Sequence, residues 1–378
     1  MEFSLNEEQE MLKTMARDFL ENECPKTFVR EMMEDETGHS PELWKKMAEV
    51  GWLGLILPEE YGGSAMNFRD LAVLCEEMGR AMMPGPFFST LLLAGQTLLS
   101  AGTDEQKRKF LSLMANGEAV FTLAVTEADG EFWPEGVQMK ATKMGDDYVL
   151  NGSKYFVPDA KAADYIIVAA RTSRSQNPEE GITLFLVDTS EWGVYVAPLQ
   201  GMDETRKQYE LVLTRVAVPG RHVIGEVDKG WPILRDMALK ATTALCAEMV
   251  GGCDWILETT VNYAKDRVQF GVPIGSFQAI KHRCADMYTS LEYARSLTEA
   301  AAEAIREDNP DTSLLVSMAK SCCGDAYKSI ADGGVQVHGG IGFTWDHDMH
   351  MYFKRARSSD TAFGDSVYHR ELIAQELD

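Results

Sequence analysis

The hydrophobic period of this chain changes twice, and that change limits its fold more than any single motif. Through residues 1–117 apolar side chains recur three and four apart. Through 118–228 short runs alternate, and from 229 to 378 the helical spacing returns. A chain patterned in this way folds as helices, then a sheet, then helices again.

Within the first block, residues 7–21 place Met11, Met15, Ala16, Phe19 and Leu20 on one helical face. Residues 41–50 repeat the pattern, with Ser40 as N-cap and Gly51 as stop. Further helices are expected over 68–82, 87–99 and 104–115. In the second block, strands are expected over 120–125, 148–150, 165–170, 182–187, 194–197 and 209–218, with a hairpin tip at Gly145-Asp146-Asp147. Many short strands between Gly, Asp and Pro turns argue a small antiparallel barrel or sandwich. The third block opens with an apolar-rich run over 231–265 that has no proline after Pro232, as in a bundle helix. Helices over 276–307, 311–331 and 346–377 follow. The glycines at 333–334 and 339–342 are expected to separate the last two.

Charge narrows what such a chain can bind. Its 378 residues carry 59 acidic and 36 basic side chains, a formal net charge of -23. Nucleic acid and anionic membrane surfaces would repel it. No apolar run approaches the roughly 20 residues of a membrane helix, and the acidic N-terminus has no signal-like pattern. The seven cysteines, two of them adjacent (Cys322, Cys323), do not form the even framework of a disulfide scaffold. A reducing cytoplasm is the expected compartment.

Several segments carry groups that suit a ligand, and each also has a plainer structural reading. Val125-Thr126-Glu127 ends an apolar strand, where backbone N–H groups and a hydroxyl suit the polar edge of a planar heterocycle; it also reads as an ordinary strand exit. Residues 151–159, from Asn151 to Asp159, read as a turn into an aromatic strand. Residues 267–278, from Arg267 through Phe270-Gly271 to Gln278, pair an arginine with a Gly/Pro loop and a following helix start, a combination that binds pyrophosphate or simply caps a helix. Residues 336–343, from Gln336 through Gly339-Gly340 to Phe343, let backbone approach a ligand closely. They do not follow a strand as a nicotinamide-binding glycine motif requires. His347 and His350 lack the further ligands a zinc site needs, so no metal is expected, and Asp346 reads as an N-cap.

Taken together and in this order, these segments resemble the acyl-CoA dehydrogenase family over essentially the whole chain. The resemblance begins at Phe3-Ser4-Leu5-Asn6-Glu7-Glu8-Gln9 and passes through Pro58-Glu59-Glu60-Tyr61-Gly62-Gly63, Gly102-Thr103-Asp104-Glu105-Gln106-Lys107, Thr126-Glu127 and Leu150-Asn151-Gly152-Ser153-Lys154. It continues at Ala163-Asp164, Val218-Pro219, Gly225 and Gly230-Trp231, and closes at 267–278 and 336–343. It implies an α+β fold with an N-terminal α-helical domain (1–117), a central antiparallel β-barrel domain (118–228) and a C-terminal four-helix bundle (229–378). It also implies one FAD per subunit and a tetramer built as a dimer of dimers. Leu123, Val125, Thr126, Phe156 and Val157 would cradle the isoalloxazine. Arg267 would reach the pyrophosphate of a neighbouring subunit's FAD with Phe270 and Gln278 nearby, and Gln336, Gly339 and Gly340 would hold the same cofactor. The implied chemistry is α,β-dehydrogenation of an acyl-CoA thioester. A carboxylate takes the α-proton, hydride leaves to flavin N5, and an electron-transfer flavoprotein removes the electrons.

The sequence departs from the family where the base should be. Ala362-Phe363-Gly364-Asp365 stands in place of the motif with the catalytic glutamate, so Phe363 occupies that position, with only its backbone N–H left to meet the thioester oxygen. The alternative base position on the long helix is Ala241, and the arginine beside it is replaced by Thr242. Two carboxylates remain as candidate bases. Glu248 lies two turns beyond Ala241 in an apolar stretch, and Asp365 lies two residues past Phe363. Pro158 replaces a flavin-bonding threonine, and Phe132 and Trp133 occupy the turn that usually meets CoA. Two alternatives follow: a base-less or half-site subunit of a heterotetramer with a paralogous chain, and a flavin-dependent monooxygenase on the same fold.

Overall fold

The computed structural model describes residues 5–130 and 132–377, so Phe3 and Ser4 of the first motif lie outside the described residues. Helices α1 (Glu7–Glu23), α2 (Lys26–Glu34), α3 (Pro41–Glu49) and α4 (Phe68–Ala81) come first. A π-helical stretch, Phe88–Gly95, runs into α5 (Gln96–Ala101). The short α6 (Asp104–Gln106) and α7 (Ser112–Ala115) flank another π turn, Lys107–Leu111. Strands β1 (Phe121–Ala124), β2 (Lys140–Met144), β3 (Asp147–Pro158), β4 (Tyr165–Arg171), β5 (Ile182–Asp188), β6 (Val194–Leu199), β7 (Gln208–Val218) and β8 (Val223–Ile224) make up the middle. Then come α8 (Gly230–Asp266), the ribbon β9 (Val268–Gln269) and β10 (Val272–Pro273), α9 (Gln278–Arg306), α10 (Thr312–His338), α11 (Met349–Thr361) and α12 (Ser366–Leu377). No helix among the described residues is long and apolar enough to cross a membrane.

The expected block order holds, with four differences. Gly333 and Gly334 do not break a helix. Both are buried inside α10, where a Cβ on Gly334 would sit 2.7 Å from Ile256 and one on Gly333 2.9 Å from Met287, so they are small because neighbours press on them. The last helical stretch divides at Ala362–Asp365 into α11 and α12, and α11 starts at Met349 with Asp348, not Asp346, at its N-cap. β2 and the α2 helix have no alternation or stop signals strong enough to read. Finally, the sheet is not wholly antiparallel, because β1 pairs β4 in parallel from Phe121↔Tyr165 to Ala124↔Val168. The β2–β3 hairpin between them supplies the long connection that a parallel pair needs.

The chain forms two compact units, one of residues 31–66 and 84–241 and one of residues up to 30, 67–83 and 242–378. The first is built on the sheet, in the order β6-β7-β3-β2-β4-β5-β8 with β1 beside β4. β4 and β5 are buried almost throughout, which explains their continuous apolar runs. Two bulges bend the β3–β7 ribbon. Arg215 takes up one extra residue on β7, and the other falls between Lys154 and Val157 on β3.

In the second unit the helices meet through glycines and ion pairs. A Cβ on Gly79 of α4 would lie 2.5 Å from the Glu248 Cα, and one on Gly251 of α8 would lie 2.7 Å from the Arg80 nitrogen, so backbone rests on backbone where these helices meet. Around that contact, Arg17 holds Glu77 with bonds of 2.9 and 2.8 Å, Lys13 holds Glu76 at 3.1 Å, and Arg295 pairs with Glu76 and with Asp254. Burial alone would raise the Glu76 carboxyl. Arg295 and Lys13 outweigh burial and hold it below the usual carboxylate range. All seven cysteines are free thiols, five of them buried.

Candidate functional site

In the sheet unit, the segments 123–127 and 154–159 are joined. The Tyr155 amide donates to the Thr126 carbonyl at 2.9 Å. Lys154, wholly buried, donates from Nζ to the Val125 carbonyl and to Glu127 Oε1, each at 2.7 Å. Glu127 Oε1 also accepts the Gln138 and Met139 amides at 2.8 Å, so one carboxylate oxygen ties the turn to the following chain. Burial pushes the Lys154 ammonium down to about 8, although Glu127 opposes it. Thr122 Oγ1 donates to the Pro158 carbonyl at 2.6 Å, and Ser89 Oγ donates to Asp159 at 2.6 Å.

The result is a platform. Leu123, Val125 and Val157 are buried beneath it, Thr126 is half-buried at its edge, and Phe156 stands out of the bulge at a φ of 55° with 57% of its surface exposed. A left-handed aromatic residue is costly and marks a site whose geometry is over-determined by its surroundings. The Phe156 ring lies beside the 127–130 turn, 3.9 Å from where a Gly130 Cβ would be. Pro158 offers only its carbonyl, and Thr122 already donates to that group. In the same unit Phe132 packs on Trp231 with ring centroids 5.5 Å apart, while Trp133 is exposed.

In the helical unit, residues 267–278 form a β-ribbon, not a plain helix cap. Phe270 and Gly271 have φ of 54° and 80°, the pair of left-handed residues that a tight two-residue hairpin turn requires. Arg267, Gln269, Phe270 and Gln278 are exposed, Phe270 by 93%. Gln336, Gly339 and Gly340 are exposed at the end of α10, and nothing lies within 4 Å of where a Cβ on either glycine would be. His338 is buried behind them, stacked on Tyr263 at 4.4 Å. His347 Nδ1 accepts the Met349 amide at 3.1 Å, and no group of three or more metal-binding side chains occurs among the described residues.

The two carboxylates proposed as bases have different surroundings. Glu248 is half-buried in α8, whose residues 241–250 are otherwise buried. Asp365 is exposed and accepts the Tyr368 amide at 2.8 Å, so it caps α12. Phe363, two residues before Asp365, is in a left-handed turn with φ of 58° followed by Gly364 at 94°. The His369 ring donates from Nε2 to the Phe363 carbonyl at 3.0 Å, and its Nδ1 is buried without a hydrogen-bond partner. Burial lowers this imidazole from 6.5 to about 4.

That shift has a signed consequence. Above pH 6.5 His369 is neutral in both folded and unfolded chains. As pH falls from 6.5 toward 4 the unfolded chain gains a proton that the fold rejects, and stability drops by about 1.4 kcal/mol per unit. His369→Gln keeps an N–H for the Phe363 carbonyl and cannot titrate. Denaturant unfolding at pH 7 and pH 5 should show the wild type losing about 2 kcal/mol more than this variant. Equal losses would contradict the assignment.

The two buried lysines, Lys154 and Lys320, were not legible as site supports, because a lysine in sequence reads as solvated surface. The only signal for Lys154 was its place in the Asn151-Gly152-Ser153-Lys154 motif.

The residues present fit FAD. An exposed aromatic and a hydroxyl at the edge of a buried apolar platform suit a flavin ring, and elsewhere an exposed arginine and an open glycine turn suit a pyrophosphate. Comparison with known proteins agrees. Residues 6–118, 122–216 and 228–377 match the N-terminal, middle and C-terminal domains of acyl-CoA dehydrogenases. The probable acyl-CoA dehydrogenase YngJ of Bacillus subtilis is 30% identical over 100% of both chains. The butyryl-CoA dehydrogenase of Megasphaera elsdenii superposes with a TM-score of 0.92 at 28% identity, covering 100% of each chain. A chain in the structure of the electron transferring flavoprotein of Acidaminococcus fermentans superposes at 0.93 with 30% identity, covering 100% of this chain and 99% of that one. The match across all three domains, the shared fold and a platform suited to a flavin lead to one conclusion: this chain belongs to the acyl-CoA dehydrogenase family, as an FAD-dependent oxidoreductase acting on acyl-CoA thioesters.

Proposed function

We propose that this member runs the α,β-dehydrogenation with a displaced base, Glu248, and with the Phe363 backbone amide polarising the thioester oxygen. The observation that carries the reading is the Phe363 turn itself: Phe363 and Gly364 are both left-handed, His369 holds the Phe363 carbonyl, and no carboxylate stands where the resemblance puts the family's glutamate. FAD, when bound, accepts the β-hydrogen as hydride. The chain's part is to bind and orient the thioester, exclude water, and take the α-proton. Leu123, Val125, Thr126, Phe156 and Val157 serve the isoalloxazine. Arg267, Phe270, Gln278, Gln336, Gly339 and Gly340 serve the pyrophosphate end.

An aromatic side chain as exposed as Phe270 fits a role completed by a second copy of this chain, in a tetramer. An electron-transfer flavoprotein is the proposed electron acceptor. Free and mostly buried thiols support a reducing compartment, the cytoplasm. Reconstituted with FAD, the purified chain should be yellow, and anaerobic addition of acyl-CoAs should bleach the oxidised flavin with at least one substrate. A colourless protein that takes up no FAD contradicts the assignment. A yellow protein that bleaches only when a paralogous chain is co-expressed selects the half-site alternative.

A further inference from the structure

Lys320 is wholly buried in the middle of α10, and its Nζ donates to two backbone carbonyls, Asp360 and Gly364, each at 2.7 Å. Those two residues bracket the turn that carries Phe363. The same turn is gripped from α12, where His369 Nε2 donates to the Phe363 carbonyl at 3.0 Å. The Asp360 carboxylate accepts Ser366 Oγ at 2.9 Å and Lys328 Nζ at 2.6 Å. Gly324, one turn along α10 from Lys320, leaves the room for this. A Cβ there would fall 2.5 Å from Ser366 Oγ. Two carbonyls of the turn and one on its α11 side are thus held by side chains of α10 and α12, and Phe363 and Gly364 stay in consecutive left-handed conformations that a free chain would leave.

A buried ammonium is costly, and burial lowers the Lys320 pKa. A neutral capping group would serve packing alone at smaller cost. What an ammonium adds is a fixed positive charge next to the turn. As an α-proton leaves, negative charge gathers on the thioester oxygen, and a preorganised positive charge favours that state over the bound ground state.

We propose that Lys320 is a positioning residue for the reaction: it locks the Phe363 turn and sets the direction and polarity of the Phe363 amide toward the thioester oxygen. The proposal rests on the reading that this amide meets the substrate carbonyl. It assigns Lys320 no contact with substrate.

Lys320→Met, which keeps length and removes the charge, tests it in the FAD-loaded enzyme. The readouts are FAD content, melting temperature, dissociation constant for an enoyl-CoA, flavin reduction rate at saturating acyl-CoA, and the isotope-edited carbonyl band of bound enoyl-CoA thioester. The wild type should shift that band to lower frequency than in solution. The variant should lose at least half of the shift and reduce its flavin about 30-fold more slowly, less than deleting a donor outright costs. Its enoyl-CoA dissociation constant should stay within about twofold, because the interaction polarises the bound carbonyl only modestly and gains most of its strength in the transition state. A change confined to melting temperature is what packing alone predicts, and it would overturn the proposal. An unshifted band in the wild type overturns the amide reading and the proposal with it. A shifted band that Lys320→Met leaves intact overturns the proposal alone. If Lys320→Met does not fold, Lys320→Gln, which keeps a donor nitrogen without the charge, decides: an intermediate band shift and rate support the proposal, and wild-type values overturn it.

Discussion

Glu248→Gln should slow flavin reduction by saturating acyl-CoA between about a hundred- and ten-thousand-fold, the range that a positioned general base supplies. A base for an α-proton must be a carboxylate that water does not satisfy. Glu248 meets that condition better than Asp365, since it is half-buried within a run of buried neighbours. Asp365 is exposed, and its carboxylate is committed to the α12 amide of Tyr368. Asp365→Asn should therefore keep most of the rate and lose only cap strength. Because the Glu248 backbone also rests against Gly79, the melting temperature must be read beside the rate. A rate collapse at unchanged melting temperature identifies a base, whereas a matching loss of both identifies a packing carboxylate. Full rates in both variants would remove the base from these two positions altogether.

Gly251→Ala should cost about 3 kcal/mol of stability, against the ordinary helix rule. In a helix interior alanine is favoured over glycine by about 1 kcal/mol. Here the added methyl would meet the Glu76 carbonyl and lie 2.7 Å from the Arg80 nitrogen. Neither group can rotate away as a side chain would, so α4 and α8 must separate, at an overpacking cost of about 4 kcal/mol, above the usual range of about 1–3 because both obstacles are backbone. Separation would also stretch the Arg80 pairs to Asp254 and Glu258 and loosen the Arg295–Glu76–Lys13 cluster, which has to stay paired while buried. Denaturant unfolding of the variant measures it. A neutral or stabilising result would mean the helices are not in backbone contact at this point.

Other glycines show how far the sequence can be read. Gly271 was visible as part of a Gly/Pro loop, because glycine answers a local demand for a left-handed residue; that Phe270 shares this conformation at the tip of a β-ribbon was not. Gly333 and Gly334 looked like another break and are not one. Their reason for being glycine is the approach of Ile256 and Met287 across the bundle. The parallel pairing of β1 with β4 was equally hidden, because alternation marks a strand without saying which strand lies beside it or in which direction. The two segments that meet in the platform, 125–127 and 151–159, were legible as motifs. The tie between them, a buried lysine shared by the Val125 carbonyl and Glu127, was not.

By itself the sequence determined the helix–sheet–helix order, the family, the cofactor and the absence of a carboxylate at Phe363 and Ala241. The order follows from period and the missing carboxylates from residue identity, both local properties of a chain, while the family and its FAD follow from the resemblance that the motifs carry. Only the tertiary structure decided that Phe363 sits in a left-handed turn clamped by Lys320 and His369, that Asp365 is a cap, and that Glu248 lies where α8 presses on α4. Those facts depend on which distant groups burial forces together. A buried ammonium or an open carbonyl has to find its partner wherever the fold brings one, and sequence spacing carries no record of that search.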